Sequence, residues 1–255
     1  MSVIVHVNDY AFQSLLISSI ETFPSGYISG KPGTGKPLKK KQQVSQHEGE
    51  AFGLLFGQRM IKKNDFIFNV TLAVPMQATL HKKDGVSFSA LHFQRIREVT
   101  ESFPYLEFLG TFHSHPYSKE DYNGKPTSEF SSVDESTALE NAVDYGDDLL
   151  EVILGITALD RHSQRDAKSE GETIQSYCGR FKYSLSAYCT FGAASDDEDE
   201  DDDWEDEDEN TEAIEDEDEE SEDNDETPDI GLVPVDRLIC PLAAHGGGIF
   251  DRAEF

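Results

Sequence analysis

Residues 110–134 read GTFHSHPYSKEDYNGKPTSEFSSVD, and the fold of the chain follows from how these residues must be presented. In an extended strand residues i and i+2 point to one face, so His113 and His115 project together while Ser114 faces away. Pro116 is expected to close the strand. Two imidazoles at this spacing can share one metal ion, and zinc takes neutral histidine nitrogens together with a carboxylate oxygen. Asp134 is the candidate for that oxygen, and a three-ligand shell leaves a fourth position to water. Each piece also has a plainer reading. A lone His-x-His is commonly a strand with two ordinary histidines, and Ser131-x-x-Asp134 fits a helix capping box. The two readings of Asp134 are compatible, because a ligand on a first helical turn needs a fixed helix start.

Upstream, Glu50–Gly57 reads EAFGLLFG. Taken in order, E-x-x-G-x-L-x-G, H-S-H-P and S-x-x-D closely resemble the JAMM (MPN+) zinc metalloproteases, a family that includes deubiquitinating isopeptidases. The resemblance covers roughly residues 1–190. Fifteen residues separate His115 from Ser131, roughly twice that family's usual connection, so about eight residues within 117–130 read as an insertion beside the site.

The resemblance implies a cytidine-deaminase-like three-layer α/β sandwich with a mixed sheet, one Zn²⁺ per chain held by His113, His115 and Asp134, and hydrolysis of peptide or isopeptide bonds after the C-terminal glycine of a ubiquitin-like protein. Zinc there would bring the pKa of a water toward about 7. Glu50 would take the proton and pass it to the leaving amine. Ser131 would donate to the oxyanion. Glu48, on the same strand face, competes as the base; Glu50 has the family's register to Gly53, Leu55 and Gly57. His47 is a further candidate ligand. Two other functions share these residues: a noncatalytic MPN scaffold, and a zinc hydrolase of another amide such as a sulfur-carrier precursor or a cell-wall peptide.

The charge of the chain is localised. Of its 51 acidic residues, 25 lie within 195–229, which has no Lys or Arg, and the remaining 26 face 21 bases. Apart from that run the protein is mildly acidic, with no basic face for nucleic acid. The run itself is too poor in apolar residues to build a core and is expected to be a disordered tether, with docking of a basic partner as the alternative. Cys178, Cys189 and Cys240 are an odd set without C-x-x-C spacing, which favours reduced thiols in a cytoplasmic setting. No stretch approaches the ~18 apolar residues of a membrane span, so neither export nor a membrane role is expected.

From the start of the chain, Ser2–Val7 alternates as a strand, and Asn8 or Asp9 should cap a helix bearing Phe12, Leu15, Leu16 and Ile20. Residues 23–46 read as an exposed loop; its GKPGTGKP imitates a phosphate-binding loop, but Pro37 stands where Ser or Thr must hold Mg²⁺. Two antiparallel strands follow across an IKKN turn, then a helix over 88–101 and a strand over 106–112 that ends in the histidines. A helix from Ser131, a central strand over 149–157 and a strand pair over 174–181 and 183–190 complete an α/β domain over 1–194. Beyond the tether, residues 230–255 open with IGLVPVDRLICPL. This apolar segment either packs back on the domain or docks elsewhere.

Overall fold

The computed structural model describes residues 2–28, 48–76, 80–82, 85–87, 90–145, 148–163, 165–170, 172–191 and 231–245. The acidic run, GKPGTGKP with the rest of 29–46, and His47 lie outside the described residues.

Strand β1 (Ser2–Val7) buries Val3, Val5 and Val7 and turns the alternate residues outward, as a period-two apolar pattern requires. Asn8 then starts helix α1 (Asp9–Glu21) by accepting the Ala11 amide at 2.8 Å, which satisfies one of the donors a helix start leaves open. Ala11, Phe12, Leu15 and Leu16 lay this helix on the sheet. The expected exposed loop does not begin at once: Phe23 is buried, edge-on to Tyr27 and to Phe181.

Strands β2 (Phe52–Lys62) and β3 (Asp65–Pro75) form an antiparallel hairpin that turns at Lys63 with φ 60°. A small ribbon of β4 (Leu80–Lys82) and β5 (Gly85–Ser87) leads to helix α2 (Ala90–Glu101). Strand β6 (Glu107–Tyr117), helix α3 (Ser132–Tyr145) and strands β7 (Leu150–Ala158), β8 (Lys168–Glu170), β9 (Thr173–Cys178) and β10 (Phe181–Phe191) follow. After the acidic run come β11 (Gly231–Pro234), β12 (Arg237–Ile239) and the short helix α4 (Pro241–His245).

Apart from the ribbon, the strands form one mixed sheet in the order β12-β1-β3-β2-β6-β7-β10-β9-β8, with β11 also on β10. β1 runs parallel to β3 and β12, and β6 parallel to β7; the other pairs are antiparallel. Helices cover both faces. One core joins Ala11, Phe12 and Leu15 of α1 to Leu55, Phe112, Val152 and Leu154; the other joins Phe93 of α2 and Ala142 of α3 to Leu54, Phe56 and Phe108. β2 therefore contributes apolar side chains to both, which is why its first six residues are an unbroken buried run. The protein is a mixed α/β fold around this sheet.

Beyond the acidic run the chain returns to the sheet. β9 covers one half of the β10 edge, Phe181–Ser186, and β11 covers Tyr188–Phe191. Only two residues separate β11 from β12, which pairs with β1, so the sheet must curl to bring β10 and β1 within reach of one short segment. The join is hydrogen-bonded on both sides: the Val235 amide donates to Ala187 O at 3.2 Å and the Asp236 amide to Val3 O at 3.0 Å. The Val3 amide in turn donates to Asp236 Oδ2 at 2.6 Å. Val235, Leu238, Cys240 and Ala243 are buried, so the core extends past the residue 194 boundary expected from composition. Among the described residues no helix is long and apolar enough to cross a membrane.

Candidate metal centre

β6 carries His113 and His115 on one face, each with a side chain 12 % exposed. The strand does not stop at Pro116 as expected; it pairs with β7 through Tyr117. The Ser114 amide points toward β2, donating to Ala51 O at 2.9 Å. Strand amides alternate sides, so the missing N–H of Pro116 would point past the end of that ladder and no bond is lost.

The third group arrives on α3. Ser131 precedes the helix and accepts the Asp134 amide at 3.2 Å, while the Asp134 carboxylate accepts the Ser131 amide at 2.9 Å: a reciprocal capping box. The Ser131 hydroxyl adds a bond to Asp134 Oδ2 at 2.6 Å. The capping box of Ser131-x-x-Asp134 is formed, and the metal reading is compatible with it, since the cap fixes the carboxylate that faces the histidines. Asp134 Oδ1 lies 3.4 Å from His113 Nε2, Oδ2 lies 3.3 Å from His115 Nε2, and the two Nε2 atoms are 3.1 Å apart. Zn–N and Zn–O bonds of about 2.0–2.2 Å in tetrahedral geometry place donor atoms about 3.3 Å from one another. The observed triangle fits that shell, and two imidazoles with one carboxylate are a donor set zinc accepts.

Electrostatics agree with ligation. Burial, reinforced by the neighbouring His115 and partly opposed by Asp134, pushes the His113 pKa down and so favours the neutral ring. Burial alone would raise the Asp134 carboxyl, but the hydrogen bonds from His113, His115 and Ser131 outweigh it and hold it far below the usual carboxylate range.

Glu50 is positioned by strand register. β2 pairs Phe52 with His113, and Ala51 continues the ladder against Ser114: the Ala51 amide donates to the fully buried Ser114 Oγ at 2.8 Å. Glu50 therefore falls opposite His115, and residues directly opposite in an antiparallel pair share a face. Glu48 is turned elsewhere, accepting a hydrogen bond from Ser25 Oγ. Gly49 makes the change of direction between them with φ 153°. Asp121, an acid of the segment between His115 and Ser131, accepts the Ser118 amide at 2.8 Å.

The residues between His115 and Ser131 run over β7 and β10. A Cβ at Gly155 would overlap the Thr127 carbonyl, so glycine there lets the segment lie directly on β7. Ser128 is buried, with its hydroxyl 3.0 and 2.6 Å from those of Ser184 and Ser186. The Tyr188 hydroxyl donates to Ser128 O at 3.2 Å, and Phe130 packs edge-on to Tyr188 at 4.5 Å and to His113 at 6.4 Å. These contacts set the entry of α3.

One group beside the site went unread in the sequence. Glu151 of β7 is 4 % exposed, pairs with Thr111 in the parallel ladder and accepts the Thr111 hydroxyl at 2.6 Å. Thr111 shares the face of His113 by strand alternation. Burial raises the Glu151 pKa to about 7, the Thr111 hydrogen bond partly opposes this, and the charge of Asp134 adds to it. Its only signal in the sequence is an acid inside the apolar run LEVILGIT. No protein-family model matches this chain, and no curated protein matches it.

Proposed function

We propose that this chain is a zinc-dependent hydrolase of peptide or isopeptide bonds of the JAMM type, built on a cytidine-deaminase-like arrangement, and that it cleaves after the C-terminal glycine of a ubiquitin-like modifier. The observation that carries this reading is the fit of His113 Nε2, His115 Nε2 and Asp134 to a zinc shell on the face where strand register sets Glu50. Zinc bound there supplies a Lewis acid that polarises an amide carbonyl and makes hydroxide accessible near neutral pH. Glu50 accepts the proton of the attacking water and returns it to the departing amine. Ser131 holds Asp134 in place and, by turning its hydroxyl from Oδ2, donates to the developing oxyanion. The modifier follows from the motif resemblance, as the site fixes the reaction class more closely than the acyl group.

The acidic run is assigned to tethering, with a basic protein as its partner if it docks. Three cysteines without disulfides support a reducing, cytoplasmic location. The test is metal content of the purified full chain, together with cleavage of a panel of ubiquitin-like fusions, sulfur-carrier precursors and cell-wall peptides before and after chelation. Stoichiometric zinc with chelator-sensitive cleavage of a modifier fusion is the expected result. Zinc with no cleavage anywhere in the panel overturns the hydrolase reading in favour of a scaffold.

A further inference from the structure

On the face that holds the histidines, positive charge gathers around Lys182 of β10, whereas the acids Glu129 and Glu172 act on Tyr188, six residues further along that strand. Across the sheet His115 pairs with Gly155, Gly155 with Ser184, Ser184 with Gln175, and Gln175 with Lys168. In the next row Tyr117 pairs with Thr157 and Thr157 with Lys182. Laterally paired residues share a face, so Lys182 and Lys168 lie on the histidine side. With strands about 4.8 Å apart, the Lys182 backbone is about 10 Å from that of Tyr117, and Lys168 is about 19 Å from His115 along the sheet. Lys125 comes from the insertion, two residues before the Thr127 that packs on Gly155. Arg165 comes from the connection between β7 and β8.

Lys125, Arg165 and Lys168 are exposed and Lys182 is half-buried. Burial, then the charges of Lys125, Arg165 and Lys168, hold the Lys182 ammonium below its usual range, so three separate segments bring like charge onto one side chain. Asp160, an acid of the same β7–β8 connection, is ion-paired to Lys119. In a chain of net charge −30, convergence of four cations is a repulsive arrangement that a bound anion relieves.

We propose that Lys125, Arg165, Lys168 and Lys182 form a recognition patch for acidic side chains of the peptide substrate, beside the metal centre. This rests on the hydrolase reading above. The patch shares the face of the ligands, and an extended peptide advances about 3.3 Å per residue. The preferred substrate therefore carries Asp or Glu about three to six residues from the cleaved bond.

The test titrates the full chain, at low and high salt, into a fluorescently labelled glutamate-rich peptide and into its glutamine counterpart, reading anisotropy. The glutamate peptide binds about tenfold more tightly, as expected for several exposed ion pairs acting together, and the difference shrinks with salt. Lys125→Ala/Lys168→Ala, both at exposed positions, removes the difference without changing zinc content or melting temperature. Equal affinities for the two peptides, or a difference that survives in the double variant, overturn the patch. The readout needs no turnover, so its failure is separable from that of the hydrolase reading. A preserved charge preference with zinc bound and no cleavage would sink the hydrolase instead.

Discussion

Ala51 and Ser114 hold each other across β2 and β6 through two bonds, Ala51 N–H to Ser114 Oγ at 2.8 Å and Ser114 N–H to Ala51 O at 2.9 Å. The serine between the two histidines thus faces away from the His113–His115–Asp134 group and fixes the strand that carries Glu50. Ser114→Ala leaves the buried Ala51 amide without its side-chain acceptor, a loss of about 1–3 kcal/mol. Melting temperature and turnover should both fall while zinc stays near stoichiometric, since no ligand is touched. An unchanged rate in that variant would show that Glu50 does not depend on this clamp.

Removing a ligand opens the shell. His113→Ala, His115→Ala and Asp134→Ala should each weaken zinc binding by at least about tenfold, measured by competition with a chelating dye. Ser131→Ala should weaken it less and also shorten the life of the α3 cap, costing about 1 kcal/mol of stability. Asp121→Ala serves as the control, because that carboxylate caps its own turn. Full zinc affinity in Asp134→Ala would refute the assigned shell.

Glu50 and Glu48 separate by role. Glu50→Gln keeps the shape and loses the basic oxygen, so turnover should drop by about 10²-fold or more with zinc retained. Glu48→Gln changes a hydrogen bond to Ser25 and should leave the rate near that of the parent protein. A rate loss confined to Glu48→Gln would reverse the assignment.

The His-x-His strand, the Ser131–Asp134 helix start and the β2–β3 hairpin could be read from local pattern because their causes are local: strand alternation, a capping box and a turn. Three features could not. Glu151 stands in an apolar run, and only the cross-strand pairing that sets it beside Thr111 reveals its place near the site. The segment IGLVPVDRLICPL carries an apolar pattern that suits core packing and docking equally. Its place is decided by partners distant in the chain, Ala187 for Val235 and, more than two hundred residues away, Val3 for Asp236. Likewise Pro116 has the local character of a strand end, and only the absence of a β2 partner beside it explains why β6 continues.

Glu151 gives the protein a pH signature of definite sign. Its folded pKa, about 7, lies above the ordinary carboxylate value near 4.5, so between these two values the folded state binds the extra proton. Stability from this group is complete below about pH 4.5 and is lost as pH rises through about 7, by as much as ~3 kcal/mol. Glu151→Gln can still accept the Thr111 hydroxyl and carries no charge. Its melting temperature should exceed that of the parent protein above pH 7, with the gap closing toward pH 4.5. A constant gap across that range would show that Glu151 does not titrate as assigned.

The last prediction separates the acidic run from the strands beyond it. Ending the chain near Ala194 removes β11, β12 and α4, and with them the buried Val235, Leu238, Cys240 and Ala243. It also strips the partners from one edge of β1 and from the Tyr188–Phe191 half of β10. Each lost large apolar side chain is worth about 1.5–3 kcal/mol of burial, and the bared strand edges invite association between molecules. This truncated chain should melt far lower or aggregate. Excising only 196–226 is a different operation. Eight residues then remain between Phe191 and Gly231, which face each other in the antiparallel β10–β11 ladder. A loop of that length spans a hairpin without strain. The excised protein should keep its zinc, its melting temperature and its rate on a small model substrate, and any affinity it loses for a basic partner should carry the salt dependence of exposed charges. Melting curves, zinc content and model-substrate rates for both deletions decide the matter. A stable, zinc-loaded chain ending at 194 would show that the return of the C-terminal segment to β1 and β10 is dispensable, and a collapse on excision alone would place the acidic run within the folded core.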